Sequence, residues 1–146
     1  MTENILLIEL KKETIKVSVN KITINRTIQL RENEDEYQTY LTFDEGEIVV
    51  GEEREGKQTV NGFVEQLMEH PENEEKTKII FCEEEFEMIN QTLFALLMKQ
   101  FLRNCGPKWK KIIVITEKKL NEKSEKKIEE SLEMICEGDI FFFSER

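Results

Sequence analysis

At 146 residues, with 38% hydrophobic and 36% charged side chains and a net charge of −10, the chain is long enough for one domain with its own core. No apolar run approaches the ~20 residues of a membrane span, and the net charge opposes wrapping around a phosphate backbone. Neither a membrane nor nucleic acid is therefore expected as the main partner.

The first ten residues, MTENILLIEL, carry no basic leader and no small-residue cleavage site. Asn4–Leu10 is a short apolar run with β-branched character. Thr14–Val19 alternates, with Ile15, Val17 and Val19 on one face, and Lys11-Lys12-Glu13 is a hairpin turn between them. Lys21–Leu30 alternates through Ile22, Ile24 and Ile28. Strands of this kind bury one face and wet the other. The acidic stretch Arg31–Glu36 reads as a loop. Tyr37–Phe43 and Ile48–Val50 read as two further strands joined by Asp44-Glu45-Gly46, and Gly51 ends the second.

Val60–Glu69 places Val64, Leu67 and Met68 at helical spacing, and His70-Pro71 breaks the segment. Lys78–Phe81 is a short strand. Glu83–Asn104 is the strongest predicted helix, with Ile89, Leu93, Leu96, Leu97 and Phe101 in one stripe. Three glutamates suit its N-terminus, Arg103 suits its C-terminus, and Gly106-Pro107 stops it. Lys111–Thr116 is a buried strand. Asn121 caps a helix predicted to reach Glu137, with Ile128, Leu132 and Ile135 inward and Gly138 as its left-handed C-cap. Ile140–Phe143 closes the chain as an apolar strand.

The order is three meandering strands, irregular strand-rich material, then helix–strand–helix–strand. Strands that follow helical crossovers lie parallel to a neighbour. The expected fold is α/β: a mixed five-stranded sheet, its first three strands antiparallel and its last two parallel to strand one, with crossover helices. One domain spans 1–146, with a small strand-rich peripheral insertion over about 31–77.

Charge is uneven. Arg31–Glu55 holds ten acids and two bases, and Lys108–Lys127 holds eight lysines and three acids. Such runs are solvated faces, or a dipolar surface that orients a partner or a second copy. Cys82, Cys105 and Cys136 form no CxxC pair and sit among apolar residues. They read as reduced, buried thiols in an intracellular protein, cytoplasmic or nuclear. One histidine, His70, leaves little for a zinc site. Glu83-Glu84-Glu85 reads as a favourable helix start rather than an acid–base or cation site, and nothing in the sequence joins His70, Asp44 and Cys82 into a nucleophile set. Trp109 is either a partner anchor or the closure of a helix–strand junction. Phe141-Phe142-Phe143 suits a strand buried on both faces, or a contact surface near the end of the chain.

The stretch Ile112–Ile128, IIVITEKKLNEKSEKKI, ends a strand in Thr116-Glu117. Leu120-Asn121 and a helix bearing Lys123 and Lys127 follow. This pattern resembles the actins and actin-related proteins. Ile48-Val49-Val50-Gly51-Glu52-Glu53 is similar to the Val-Gly-Asp-Glu segment of actin's small peripheral subdomain. Lys76–Glu85 looks more like the heat-shock chaperone branch of the same ATPase superfamily. The resemblance implies the first core subdomain of that superfamily.

In such proteins strand one ends in an acid and is followed by a Gly-rich, Ser/Thr-bearing turn whose backbone holds phosphate. The corresponding residues here are Glu9-Leu10-Lys11-Lys12-Glu13. The acid is present, but no glycine follows and no hydroxyl before Thr14, so the turn reads as degenerate and no cofactor or metal is expected. The second phosphate loop, the base-gripping residues and the other wall of the cleft would follow this subdomain and are not in the sequence. Ser144-Glu145-Arg146, near the expected water-positioning residue, supplies no glutamine or histidine. The expectation is a non-catalytic actin-like protein-binding subunit or adaptor. Trp109, Phe141, Phe143, Lys118 and Lys119 are its candidate contacts, and its partner is an actin-family protein or a second copy. The alternative is half of an ATP-binding machine, completed by dimerisation or by a second chain.

Overall fold

The computed structural model describes residues 4–21 and 24–145, so Ile22 of the expected third strand and Arg146 lie outside the described residues. The main sheet joins β1 (Ile5–Leu10), β2 (Thr14–Lys21), β3 (Ile24–Thr27), β10 (Lys108–Thr116) and β11 (Glu137–Ser144), in the order β11-β10-β1-β2-β3. β1 runs antiparallel to β2 and parallel to β10, and β10 runs parallel to β11. The expected mixed sheet, with its last two strands parallel to the first, is therefore present. A sixth strand, β4 (Tyr37–Gln38), pairs with the start of β2.

Two small sheets lie between β4 and the parallel half. One contains β5 (Leu41–Asp44), β6 (Glu47–Val50) and β7 (Gln58–Val60), and the other is the hairpin of β8 (Thr77–Phe81) and β9 (Glu84–Met88). Their cores are not separate. Leu41, Phe43, Val50, Val60 and Ile79 belong to the same buried cluster as Leu6, Ile8 and Val114. Each fully buried side chain of this size contributes about 1.5–3 kcal/mol.

Helices α1 (Phe63–Glu69), α2 (Asn90–Phe101) and α3 (Glu122–Glu133) pack against one another. Asn121 caps α3 as expected, its Oδ1 accepting from the Ser124 N–H at 2.8 Å. The buried Ser124 hydroxyl donates to the Met68 carbonyl at 3.0 Å and ties α3 to α1. Gln91 donates its amide to the Lys127 carbonyl at 3.1 Å, joining α2 to α3.

Several expectations are corrected. The strand expected over Tyr37–Phe43 is split between two sheets. Glu83-Glu84-Glu85 do not start a helix. Cys82 (φ 54°) and Glu83 (φ 65°) form a two-residue turn, and Glu84 opens β9, paired with Phe81. Two successive positive φ values suit a hairpin turn of this length, and α2 begins only at Asn90, leaving Arg103 beyond its end. Cys82 is accordingly exposed. Cys136 is buried, and burial pushes its thiol up to about 11.

α3 stops at Glu133, so Gly138 is no C-cap but a strand residue of β11. A Cβ there would stand 2.7 Å from the Trp109 carbonyl oxygen and 3.2 Å from its Cβ. β10 carries a register shift between Lys108 and Lys111, and Trp109 is buried within it. Trp109 therefore closes a junction inside the fold and is no exposed partner anchor.

The hairpin of β5 and β6 carries an ionic clasp. Arg54 reaches Asp44 at 2.8 Å and Glu47 at 3.1 Å, and Lys57 reaches Asp44 at 3.3 Å. The hydrogen bond from Arg54 holds the Asp44 carboxyl below its ordinary 3.8, against the partial loss of solvent.

Gly138→Ala is expected to cost about 1–3 kcal/mol, because the obstructing atom is backbone. The loss should appear as a lower denaturant midpoint at unchanged slope. Gly106→Ala, where no atom lies within 4 Å of the added Cβ, should leave the midpoint in place. A second outcome concerns acid. Because folded Asp44 titrates below its unfolded value, its contribution is complete above that value and fades as pH falls through the folded one. Amide exchange in β5 and β6 should therefore accelerate relative to β1 and β10 as pH falls below about 4, and Asp44→Asn should abolish the difference.

Candidate functional site

Two surfaces gather the candidate residues. The first lies beyond the carboxyl ends of β1 and β10, where parallel sheets place their ligand crevices. The hairpin turn Lys11-Lys12-Glu13 meets Lys118 and Lys119 there, around a groove of about 580 Å³ also lined by Met68, Glu69 and Glu117. Residues far apart in sequence thus come together, four lysines and three glutamates in all.

The backbone of this turn is engaged. Lys11 N–H donates to the Thr14 carbonyl at 2.9 Å. The Glu13 carbonyl accepts from Thr39 N–H at 2.9 Å, and the Lys12 carbonyl accepts from the Thr39 hydroxyl at 3.0 Å. None of residues 11–13 has a positive φ, so the turn lacks the left-handed backbone of a phosphate-cradling nest. Lys12 is paired with Glu69. That hydrogen bond holds the Lys12 ammonium above its ordinary value and the Glu69 carboxyl below its own. Both groups are solvated, so the pair sets charge placement rather than stability. Of the other expected turn residues, Leu10 is buried in the core and Glu9 belongs to a different surface.

That second surface is the uncovered face of the main sheet. Side chains alternate along each strand. Leu6, Ile8 and Leu10 pair across to Ile112, Val114 and Thr116 on the helix side, and all six are buried. The opposite face forms three rows: Leu7, Ile113 and Phe141; Glu9, Ile115 and Phe143; Ile5, Lys111 and Asp139. Beyond β1 the same rows continue into Ser18, Lys16 and Asn20.

Ile5, Leu7, Ile113 and Ile115 are only half-buried, and none of them belongs to the core cluster or packs against it. Phe141 and Phe143 are 41% and 57% exposed. The Lys111 ammonium lies 5.9 Å from the Phe141 ring centroid, a cation–π distance. The face is thus apolar toward β11 and polar toward β3. This corrects the reading of Phe141–Phe143 as buried on both sides, since β11 is an edge strand with one bare face.

The five candidate protein contacts divide accordingly. Phe141 and Phe143 stand on the open face, Lys118 and Lys119 line the strand-end groove, and Trp109 is in the core. Sequence reasoning misses Ile5, Leu7, Ile113 and Ile115 as surface residues. The signal that could have found them is the continuous apolar run of β10, which makes both faces apolar, whereas helices cover only one.

The imagined nucleophile set is not assembled among the described residues. Asp44 is taken by Arg54 and Lys57, and His70 faces Glu72 at 3.9 Å. Among the described residues no three His, Cys, Asp or Glu side chains are grouped to hold a metal ion, and no helix is long and apolar enough to cross a membrane. No family model matches the chain, and no curated protein matches it in sequence.

Proposed function

We propose that this chain is a non-catalytic, actin-like protein-binding subunit that docks into a larger assembly through the open face of its main sheet. The observation that carries the reading is the row of exposed Phe141 and Phe143 continuing into half-buried Ile113, Ile115 and Leu7. Contiguous apolar surface with a polar border marks interaction sites. Support against nucleotide chemistry comes from the turn at Lys11–Glu13, whose Lys11 N–H is taken by the Thr14 carbonyl and whose backbone lacks any left-handed residue. Lysine side chains supply point charges but not the open backbone that a glycine turn presents.

A second reading, half of an ATP-binding machine completed by dimerisation or another chain, is favoured by one observation. Lys11, Lys12, Lys118 and Lys119 converge at the carboxyl ends of the parallel strands.

Phe141→Ser combined with Phe143→Ser tests the first reading. Both side chains lie outside the core cluster, so thermal unfolding should be nearly unchanged. Proteins recovered with the unaltered chain by affinity purification should be lost with the double variant, and equal recovery would remove the proposal. Isothermal titration with ATP and Mg²⁺ separates the second reading. No binding heat is expected, and a saturable heat abolished by Lys11→Ala and Lys118→Ala together would favour it.

A further inference from the structure

The edge of β11 extends the open face, and a binding role for this edge rests on the reading proposed above. On the open side β11 presents Glu137, Asp139, Phe141 and Phe143, and Glu145 follows directly after its end, all exposed. The backbone groups of these odd-numbered residues face β10. Glu137 N–H donates to the Pro107 carbonyl at 2.8 Å, and Glu145 N–H to the Thr116 carbonyl at 2.9 Å. The alternation of a parallel ladder then turns the N–H and C=O of Ile140 and Phe142 outward. No strand among the described residues pairs with that edge. An added strand would find donors and acceptors there, with two aromatics beside it and acids on either side of them.

A second copy fits this edge poorly. Antiparallel self-pairing keeps both open faces together only if odd residues oppose odd residues. The register that sets Phe141 opposite Phe143 also sets Asp139 opposite Glu145. Setting Phe141 opposite itself places Glu137 opposite Glu145 and Asp139 opposite Phe143. Setting Phe143 opposite itself places Phe141 opposite Glu145. Like charges directly opposite destabilise a sheet pair, and each copy carries a net charge of −10.

The same acids attract cations. We infer that β11 accepts, as an added strand, an extended basic–apolar segment of another protein. Its alternate residues on the open side are apolar opposite Phe141 and Phe143, and Lys or Arg opposite Asp139 and Glu145. Backbone pairing supplies affinity and the alternating side chains supply selectivity.

The probe is the labelled peptide Lys-Thr-Val-Thr-Val-Thr-Lys, whose pattern reads alike in either strand direction. Its control has glutamate at both ends. Fluorescence anisotropy with the full chain should show the lysine peptide binding about tenfold more tightly or better, with the gap narrowing as salt rises. Amide exchange at Ile140 and Phe142 should slow on binding. Asp139→Lys should largely erase the preference, with Glu145→Lys as the second variant should the first unsettle the fold, and the two substitutions together should reverse it.

Equal affinity for both peptides, or binding of neither, overturns the inference. So does sedimentation showing a dimer whose Ile140 and Phe142 amides are protected without peptide, because a second copy then holds the edge. If neither peptide binds but the Phe141/Phe143 double variant still loses its partners, the broader binding reading survives this failure. If partner recovery also persists in that variant, both fall.

Discussion

All three helices gather on one side of the main sheet, and the rest of the molecule depends on that constraint. The two connections that lead to parallel strands, from β3 to β10 and from β10 to β11, step in the same direction along the sheet. Connections of one hand that step the same way pass over the same face. Leu6, Ile8, Ile112, Val114, Val17 and Val19 are therefore sealed beneath α1, α2 and α3, while the alternate residues of the same strands face away. A strand such as β10 must be apolar on its covered side. That Ile113 and Ile115 are apolar on the other side as well is not required by the core, and it is what makes the bare face apolar toward β11 rather than polar throughout.

The irregular region between β3 and β8 is held by polar contacts that organise it around the same core. Tyr37 is buried and stacks edge-on to Phe101 at 5.5 Å. Its hydroxyl accepts from the Leu30 N–H at 2.7 Å and donates to the Glu34 carbonyl at 2.6 Å, pinning the acidic loop. The Arg31 guanidinium lies over the Tyr37 ring at 5.0 Å and donates to the Val50 carbonyl at 2.8 Å. Gln58 uses its side-chain amide as a strand would, donating to the Lys78 carbonyl and accepting from the Ile80 N–H. One tyrosine and two long polar side chains thus replace the regular ladder where the strands are too short to supply it.

Legibility in the sequence tracks the strength of local signals. The alternation of Ile15, Val17 and Val19, the crossovers and the Asn121 cap each have a periodic or stereochemical mark, and the sheet order follows from them. The Asp44–Glu47 turn is readable because Gly46 supplies a positive φ. The equivalent turn at Cys82-Glu83 is not, because neither residue advertises one. The run of glutamates after it then mimics a helix start, although Phe86 pairs with Ile79 across a hairpin. At the candidate surfaces the lysine turn can be named from sequence, but not its meeting with Lys118 and Lys119. That meeting depends on β1 and β10 ending side by side, a long-range fact that no local pattern encodes.

The parallel pairing of β1 with β10 sets Ile5 beside Lys111, and this separation governs how the chain must fold during synthesis. The meander of β1, β2 and β3 can form early, but its helix side stays bare until α2, which begins at Asn90, and β10, which ends at Thr116, emerge after the end of β3 at Thr27. At translation rates of about 5–20 residues per second, that wait is on the order of 3–18 s. Contacts of such long range also slow the folding step itself. The polar residues Lys16 and Asn20, half-buried on the far face, therefore suit the waiting meander as well as the finished fold: they keep it wetted on the side that α1, α2 and α3 never cover.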